Sequence, residues 1–234
     1  MDDFKKIPKK YHPRGYEILY EDRDLLVGNK AQGFLSVRAN FEKVQTIHHA
    51  LNQYVRKGNS KSRKCVFVVH RLDQDTTGVM IFAKTPHVQM ALKDNWKEVT
   101  KIYFCMVHGR IAKRTDTISS YLEEDEDYVM HSSATNKKGK LAHTQYEVLE
   151  QTDKFSLVKI NLLTGRKNQI RVHMADIGHP VVGDDKYGHR QARHKDLFLH
   201  ARSISFKHPI NGKEIYVQAP VPDYFKKLIN YSFE

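Results

Sequence analysis

Cysteine is nearly absent: the 234 residues hold two, Cys65 and Cys105. Both fall inside apolar, strand-like runs, so the sequence predicts buried, reduced thiols and a reducing compartment, the cytoplasm. There is no C-x-x-C pair for zinc or thiol redox chemistry. Long apolar runs are also missing. None approaches the ~20 residues that span a bilayer, which predicts no membrane partner. The opening MDDFKKIPKK has no apolar core and carries Asp2 and Asp3, features that argue against a secretory signal or an amphipathic transit peptide. Linkers rich in Gly, Ser or Pro, internal repeats and low-complexity blocks are lacking, so 1–234 reads as a single domain. G-x-x-x-x-G-K-[ST], G-x-G-x-x-G and the H-x-E…P-C-x-x-C pattern of zinc deaminases do not occur. Fourteen histidines raise the question of a metal. His48 and His49, however, are adjacent on a predicted helix and face different ways. The expectation is therefore no metal and no organic cofactor.

What the chain has in surplus is positive charge. Thirty-nine Lys and Arg against 27 Asp and Glu give +12 and a pI near 9.5. Such a balance favours polyanion partners, because each neutralised phosphate releases condensed counterions. The surplus is also placed. Arg56, Lys57, Lys61, Arg63 and Lys64 form one cluster, and Lys186, Arg190, Arg193 and Lys195 another. Each lies close in sequence to one of two polar constellations described below. The plainer reading of both clusters, and of the acidic run 123–127, is a solvated loop.

Apolar spacing predicts two short strands over 17–37 and a helix over 41–55, with Asn40 as N-cap and Val44, Ile47, Leu51, Tyr54 and Val55 on one face. Short apolar runs at 65–69 and 79–83 read as strands. Thr85-Pro86 starts a helix carrying Val88, Leu92, Asn95/Trp96 and Val99. Strands follow at 101–107, 144–149 and 155–161, and Gln169 begins a short helix ended by Gly178. Strands outnumber helices and include hairpin-like neighbours. The expected class is α+β, with a mixed, mainly antiparallel central sheet and flanking helices.

Two constellations stand out. Between the apolar strands at 65–69 and 79–83 lies His70-Arg71-Leu72-Asp73-Gln74-Asp75-Thr76-Thr77-Gly78, a polar loop that a rigid sheet would present. An ordinary loop with Asx turns is the competing reading. The second is Thr164-Gly165-Arg166-Lys167-Asn168-Gln169-Ile170-Arg171-Val172-His173, followed by Gly178-His179-Pro180 and Gly183-Asp184. If Gln169 opens a helix, Arg171 projects from its first turn. A buried arginine requires a carboxylate, and Asp73 is the candidate partner.

HRLDQDTTGVMIFAKT resembles the signature of RluA-type RNA pseudouridine synthases. The likeness continues through 17–37, Lys101-Ile102-Tyr103, 164–188, Leu199-His200-Ala201 and Phe206-Lys207-His208-Pro209. A lone HRLD would carry little weight; ordered segments along nearly the whole chain carry much more. Two departures are visible: Ala31 stands where the family has proline after Lys30, and Asn168 where it has histidine. The expectation from this sequence is a compact form without an N-terminal S4-type domain.

The resemblance implies a pseudouridine synthase-like fold with a catalytic cleft, and a cofactor-free isomerase acting on ribosomal or transfer RNA, monomeric and cytoplasmic. It implies Asp73 as the nucleophile that forms a covalent adduct, with Arg171 as its partner. Tyr103 would stack on the uracil and move a proton; a core aromatic is the alternative. Arg71, with His70, would help extrude the nucleotide from its stack. Arg166 would be a phosphate or structural contact, and Lys61, Arg63, Lys64, Arg190 and Arg193 would meet RNA. A competing class is a catalytically silent RNA-binding or ribosome-assembly factor, against which the intact Asp73, Tyr103 and Arg171 set argues.

Overall fold

Alternating burial marks some of this chain's strands, most clearly Lys140–Gln151. The computed structural model describes residues 8, 11–38, 46–188 and 194–233. It begins with β1 (Tyr16–Glu21), β2 (Leu25–Lys30), α1 (Ile47–Arg56), β3 (Phe67–Val68), β4 (Thr77–Ala83) and α2 (Pro86–Asp94). There follow β5 (Thr100–His108), β6 (Thr115–Glu124), β7 (Met130–Ser133), β8 (Lys140–Gln151) and β9 (Phe155–Leu162). The last elements are α3 (Gln169–Asp176), β10 (Leu199–Lys207), β11 (Glu214–Gln218) and α4 (Asp223–Lys226). The class is α+β, as the sequence predicts.

The chain divides into two compact units, residues 1–99 with 201–220 and residues 100–200 with 221–234. In the first, the strand order is β1-β2-β4-β10, with β3 on β4 and β11 on β10. The pairings β1–β2, β2–β4, β3–β4 and β10–β11 are antiparallel. All seven residues of β4 are buried, so it reads as a continuous apolar run. Leu25, Val27, Ile81, Val88, Leu92 and Phe206 belong to the core it shares with α2 and β10. The second unit orders its strands β5-β9-β8-β6-β7, and every pair is antiparallel. Phe104, Met106, Leu157, Phe198 and Phe225 lie in one of its cores. Among the described residues, no helix is long and apolar enough to cross a membrane.

Several expectations shift by a few residues, for identifiable reasons. The N-cap of α1 is Thr46, whose hydroxyl accepts the His49 N–H at 3.1 Å; Asn40 and Val44 lie outside the described residues. The strand expected over 65–69 shrinks to Phe67–Val68 because α1 side chains take over the backbone of Val66. Asn52 Oδ1 accepts its N–H at 2.8 Å, and His48 Nε2 meets its carbonyl at 2.9 Å. Thr85 and Pro86 start α2 as predicted, with the Thr85 hydroxyl accepting the Val88 N–H. That helix ends at Asp94, and a single 3-10 turn, Trp96–Glu98, carries the chain onward. Cys105 is buried and Cys65 only half-buried outside any strand; both are free thiols. Strand β6 is not expected from the sequence because most of its residues are polar, so pairing with β7 and β8 defines it rather than apolar alternation.

One buried polar group makes the second unit pH-sensitive. His173 on α3 is fully buried, with Nε2 2.9 Å from Ser120 Oγ and Nδ1 2.8 Å from Thr144 Oγ1. Burial pulls its pKa down to about 4; Asp176 pulls the other way and His143 adds to the depression. The folded value thus lies below the unfolded one, near 6.5. The unfolded chain binds the extra proton first as pH falls, so this contribution is complete above about pH 6.5 and lost toward pH 4, with a slope of at most ~1.4 kcal/mol per pH unit. Urea melts at neutral pH and at pH 5 should show that loss, and His173→Gln, which keeps polar contacts without titrating, should show a shallower one. Equal pH dependence in both proteins would remove His173 from the account.

Candidate active site

The loop that carries Asp73 is fixed by a cation beneath it. Lys30 ends β2 with its side chain fully buried, and its Nζ donates to three carbonyls: Ala31 at 3.0 Å, Phe34 at 2.8 Å and Gln74 at 2.7 Å. A buried ammonium is tolerable only when its donors are satisfied this fully. Burial pulls its pKa down to about 8, while the charges of Asp75 and Asp73 pull it back up. The same two loops are stitched again nearby. Gly33 N–H donates to the Gln74 carbonyl at 3.0 Å, and Ser36 Oγ both donates to the Leu72 carbonyl and accepts the Leu72 N–H. Leu72 is thereby pinned in the interior while its neighbours stay more open: Arg71 is exposed and Asp73 half-buried.

His70 sits less openly than a pure RNA contact would. Its Nε2 accepts the Ile81 N–H at 3.0 Å, which puts the proton of the neutral ring on Nδ1, and the ring packs on Trp96 at 4.8 Å. The loop then closes with the Thr76 N–H donating to the Asp73 carbonyl at 3.2 Å. Gly78 is required at the entry to β4. Its φ is +110°, and a Cβ there would fall 2.2 Å from the Ala201 carbonyl oxygen. The cluster Lys61, Arg63 and Lys64 is exposed on an ordered turn, in which Asn59 Oδ1 accepts the Lys61 N–H and Ser62 Oγ the Lys64 N–H.

The second unit carries Tyr103, Arg166 and Arg171. Tyr103 lies on β5 opposite Ile160 and is buried, as are Lys101 and Cys105, which share its side of the strand. Arg171 projects from the first turn of α3, as the sequence predicts, and the carboxylate that fixes it within this unit is Asp184. Nε and Nη2 of Arg171 each bind an Asp184 oxygen at 2.7 Å, a bidentate fork. The Asp184 side chain is fully buried and that of Arg171 14% exposed. Asp184 Oδ1 also accepts the backbone N–H groups of Lys186 and Tyr187, and the Tyr187 ring lies 5.3 Å from the guanidinium carbon. This carboxylate is thus held by donors on every side. Burial pushes the Cys105 thiol far up, and the charge of Asp184 adds to it, so β5 neighbours the Asp184 turn.

From the sequence the expected partner of Arg171 is Asp73, which belongs to the first unit; inside the second unit Arg171 has a bidentate partner that the sequence pattern does not single out, Asp184. The available signal is the glycine just before Asp184. A Cβ at Gly183, whose φ is +76°, would fall 1.9 Å from the Asp196 carbonyl oxygen. Gln169 was also missed. Its buried amide accepts from Arg166 N–H and Thr164 Oγ1 and donates to the His143 carbonyl and Thr144 Oγ1, bolting α3 to β8. Arg166 is exposed and donates from Nε to the Leu141 carbonyl at 3.2 Å, which favours the structural half of its expected role. Arg190 and Arg193 lie outside the described residues.

Asp184→Asn should therefore cost ~3–5 kcal/mol in denaturant melts, as expected when one member of a buried pair is left uncompensated. Arg171→Lys keeps the charge but loses the planar fork, and should cost less than Arg171→Met. The double substitution Arg171→Met with Asp184→Asn should be less than additive. Strict additivity would mean that the fork contributes no coupling.

The comparisons fit this geometry. The family model described as RNA pseudouridylate synthase matches residues 24–176. An uncharacterized RNA pseudouridine synthase of Mycoplasma pneumoniae, the MG209 homolog, is 35% identical over 99% of this chain and 76% of its own length. The ribosomal large subunit pseudouridine synthase C of Rickettsia felis is 34% identical over 94% of this chain and 70% of its own. Among solved structures, human RNA pseudouridylate synthase domain containing 1 superposes with a TM-score of 0.73 at 28% identity, covering 92% of this chain and 86% of that one. The chain belongs to the RNA pseudouridylate synthase family, in its RluA-type branch, and is an isomerase.

Proposed function

We propose that this protein converts a uridine of structured RNA to pseudouridine, with Asp73 as the nucleophile and with Tyr103 and Arg171 acting in the same reaction. The observation that carries the reading is the HRLD loop itself. In a chain of this family, it holds a half-buried carboxylate on backbone that Lys30 and Ser36 make rigid. A carboxylate needs no activating base at neutral pH, since its ordinary pKa is about 3.9. The isomerisation breaks the N1–C1′ bond, turns the base and forms C5–C1′; the C5 proton leaves and N1 gains one. Atoms and electrons balance within the nucleotide, so the chemistry calls for no cofactor. The target base is flipped from its stack, with Arg71 available at the exposed rim of the loop. Relatives named for the ribosomal large subunit favour ribosomal over transfer RNA. The proposed setting is the cytoplasm, with the protein acting as a monomer.

The direct assay is tritium release from RNA labelled at uridine C5, with chain length intact. Asp73→Asn should bind RNA and release almost none, because an amide of nearly the same shape cannot attack. Residual turnover within about tenfold of the unaltered protein would defeat the nucleophile assignment. Release of free base would point to a glycosidase, and binding without release from the unaltered protein to a silent binder.

RNA affinity should fall steeply as salt rises. Replacing Lys61, Arg63 and Lys64 together by glutamine should flatten the log–log slope by roughly two, since each single-strand phosphate contact contributes about 0.7. An unchanged slope would take this turn out of the interface.

A further inference from the structure

The acidic run 123–127 reads from sequence as a solvated loop, yet the structure ties it to the cations around Arg171. The run crosses the tip of the β6–β7 hairpin, and Glu124 forms an ion pair with Lys167. Lys167 Nζ also donates to the Tyr128 carbonyl at 3.3 Å and lies 5.5 Å from the Tyr128 ring centroid. Lys186 Nζ donates to that same carbonyl at 2.6 Å. The hairpin is fastened a third time, where the Tyr187 hydroxyl accepts the Met130 N–H at 3.0 Å. Lys167 lies just ahead of α3, while Lys186 and Tyr187 both cradle Asp184, so all three contacts fall on the turns that orient Arg171.

The backbone is constrained for this purpose. Tyr128 has φ +60°, a conformation in which Gly or Asn would be easier, and the residue is 71% exposed. Its carbonyl is the acceptor shared by the two lysines. The other acids are employed differently: Asp125 closes the turn and binds His131, Glu123 accepts from Asn136, and Glu126 and Asp127 are exposed. Lys167 and Glu124 are each about half-exposed, so another anion can reach the pair.

We propose that Glu124 acts as an internal counter-anion, with the neutral Tyr128 carbonyl as a second acceptor beside it, and that this makes Glu124 a specificity-determining residue for RNA. They occupy Lys167 and Lys186 beside Arg171, and a polyanion must displace them to use those cations. RNA held by charge alone gains little there, because it exchanges one anion for another. An RNA whose shape brings further contacts offsets the exchange. This rests on the proposed reading that RNA meets the face around Arg171.

The test compares Glu124→Gln with Glu126→Gln, which makes the same change in net charge on the same hairpin without releasing a lysine. With oligouridylate as a non-specific probe, Glu124→Gln should bind about three- to tenfold more tightly and steepen the log–log salt slope by about 0.7, the value for one added single-strand phosphate contact. Glu126→Gln should change affinity by less than about twofold, as an exposed charge with no partner among the described residues does. Lys167→Gln should do little alone and should cancel the gain in the Glu124→Gln background. Tritium release from total RNA by the unaltered protein is measured alongside. If release is intact but Glu124→Gln matches Glu126→Gln, the counter-anion assignment falls. It falls equally if Lys167→Gln alone weakens probe binding as much as it does beside Glu124→Gln. Absence of release from the unaltered protein would overturn the proposed function itself.

Discussion

The fork between Arg171 and Asp184 sets the geometry of the second unit's polar end. A pair this deeply placed contributes little net stability, because desolvating two charges offsets most of their attraction. What it supplies is orientation. Asp184 is fixed by two backbone N–H groups as well as by the guanidinium, so Arg171 has one position in which its fork is satisfied. Gln169 fixes the helix start from the other side through its four bonds. The chain leading into α3 thus has little freedom left, although its helix carries no side-chain N-cap.

The first unit solves the opposite problem with the opposite charge. There the buried ion is a cation, Lys30, and the groups that satisfy it are loop carbonyls. Three carbonyls converging on one ammonium determine where residues 31–34 and residue 74 must lie, and therefore where Asp73 is carried. In both units a buried charge organises a segment too polar to be organised by apolar packing. Such sites keep their shape without substrate, which preorganised chemistry requires.

This explains what the sequence could and could not disclose. The apolar strands were legible because burial and period are written in residue type: 79–83 and 155–161 were found nearly to their ends. The Thr85-Pro86 helix start was legible because cap chemistry is local. The motif loop was legible as a polar insertion between apolar runs, and the resemblance supplied the roles that composition could not. Long-range polar partners were not legible. Nothing in the spacing tells that Lys30 serves residue 74, that Asn52 takes the N–H of Val66, or that Arg171 is met by Asp184 thirteen residues on. Strand β6 escaped for a related reason, since its pairing rather than its side chains makes it a strand.

The two departures from the family pattern follow from backbone geometry. Ala31 stands where the pattern that the sequence resembles usually has proline, and its N–H donates to the Gly15 carbonyl at 2.9 Å. Proline has no such donor, so alanine here supplies a hydrogen bond that ties the end of β2 to the turn before β1. Asn168 stands where that pattern usually has histidine, at φ 51° and ψ 18°, directly before α3. Asparagine and histidine are among the residues most tolerant of that left-handed region, and the Asn168 carbonyl accepts the Val172 N–H at 3.0 Å. Position 168 thus needs a residue that tolerates this backbone, and here the Asn168 Oδ1 also accepts from the Tyr187 hydroxyl at 3.3 Å. Both residues are bonded into the segments on which Lys30 and Arg171 depend, Ala31 through its N–H to Gly15 and Asn168 through its carbonyl to Val172 and its amide oxygen to Tyr187.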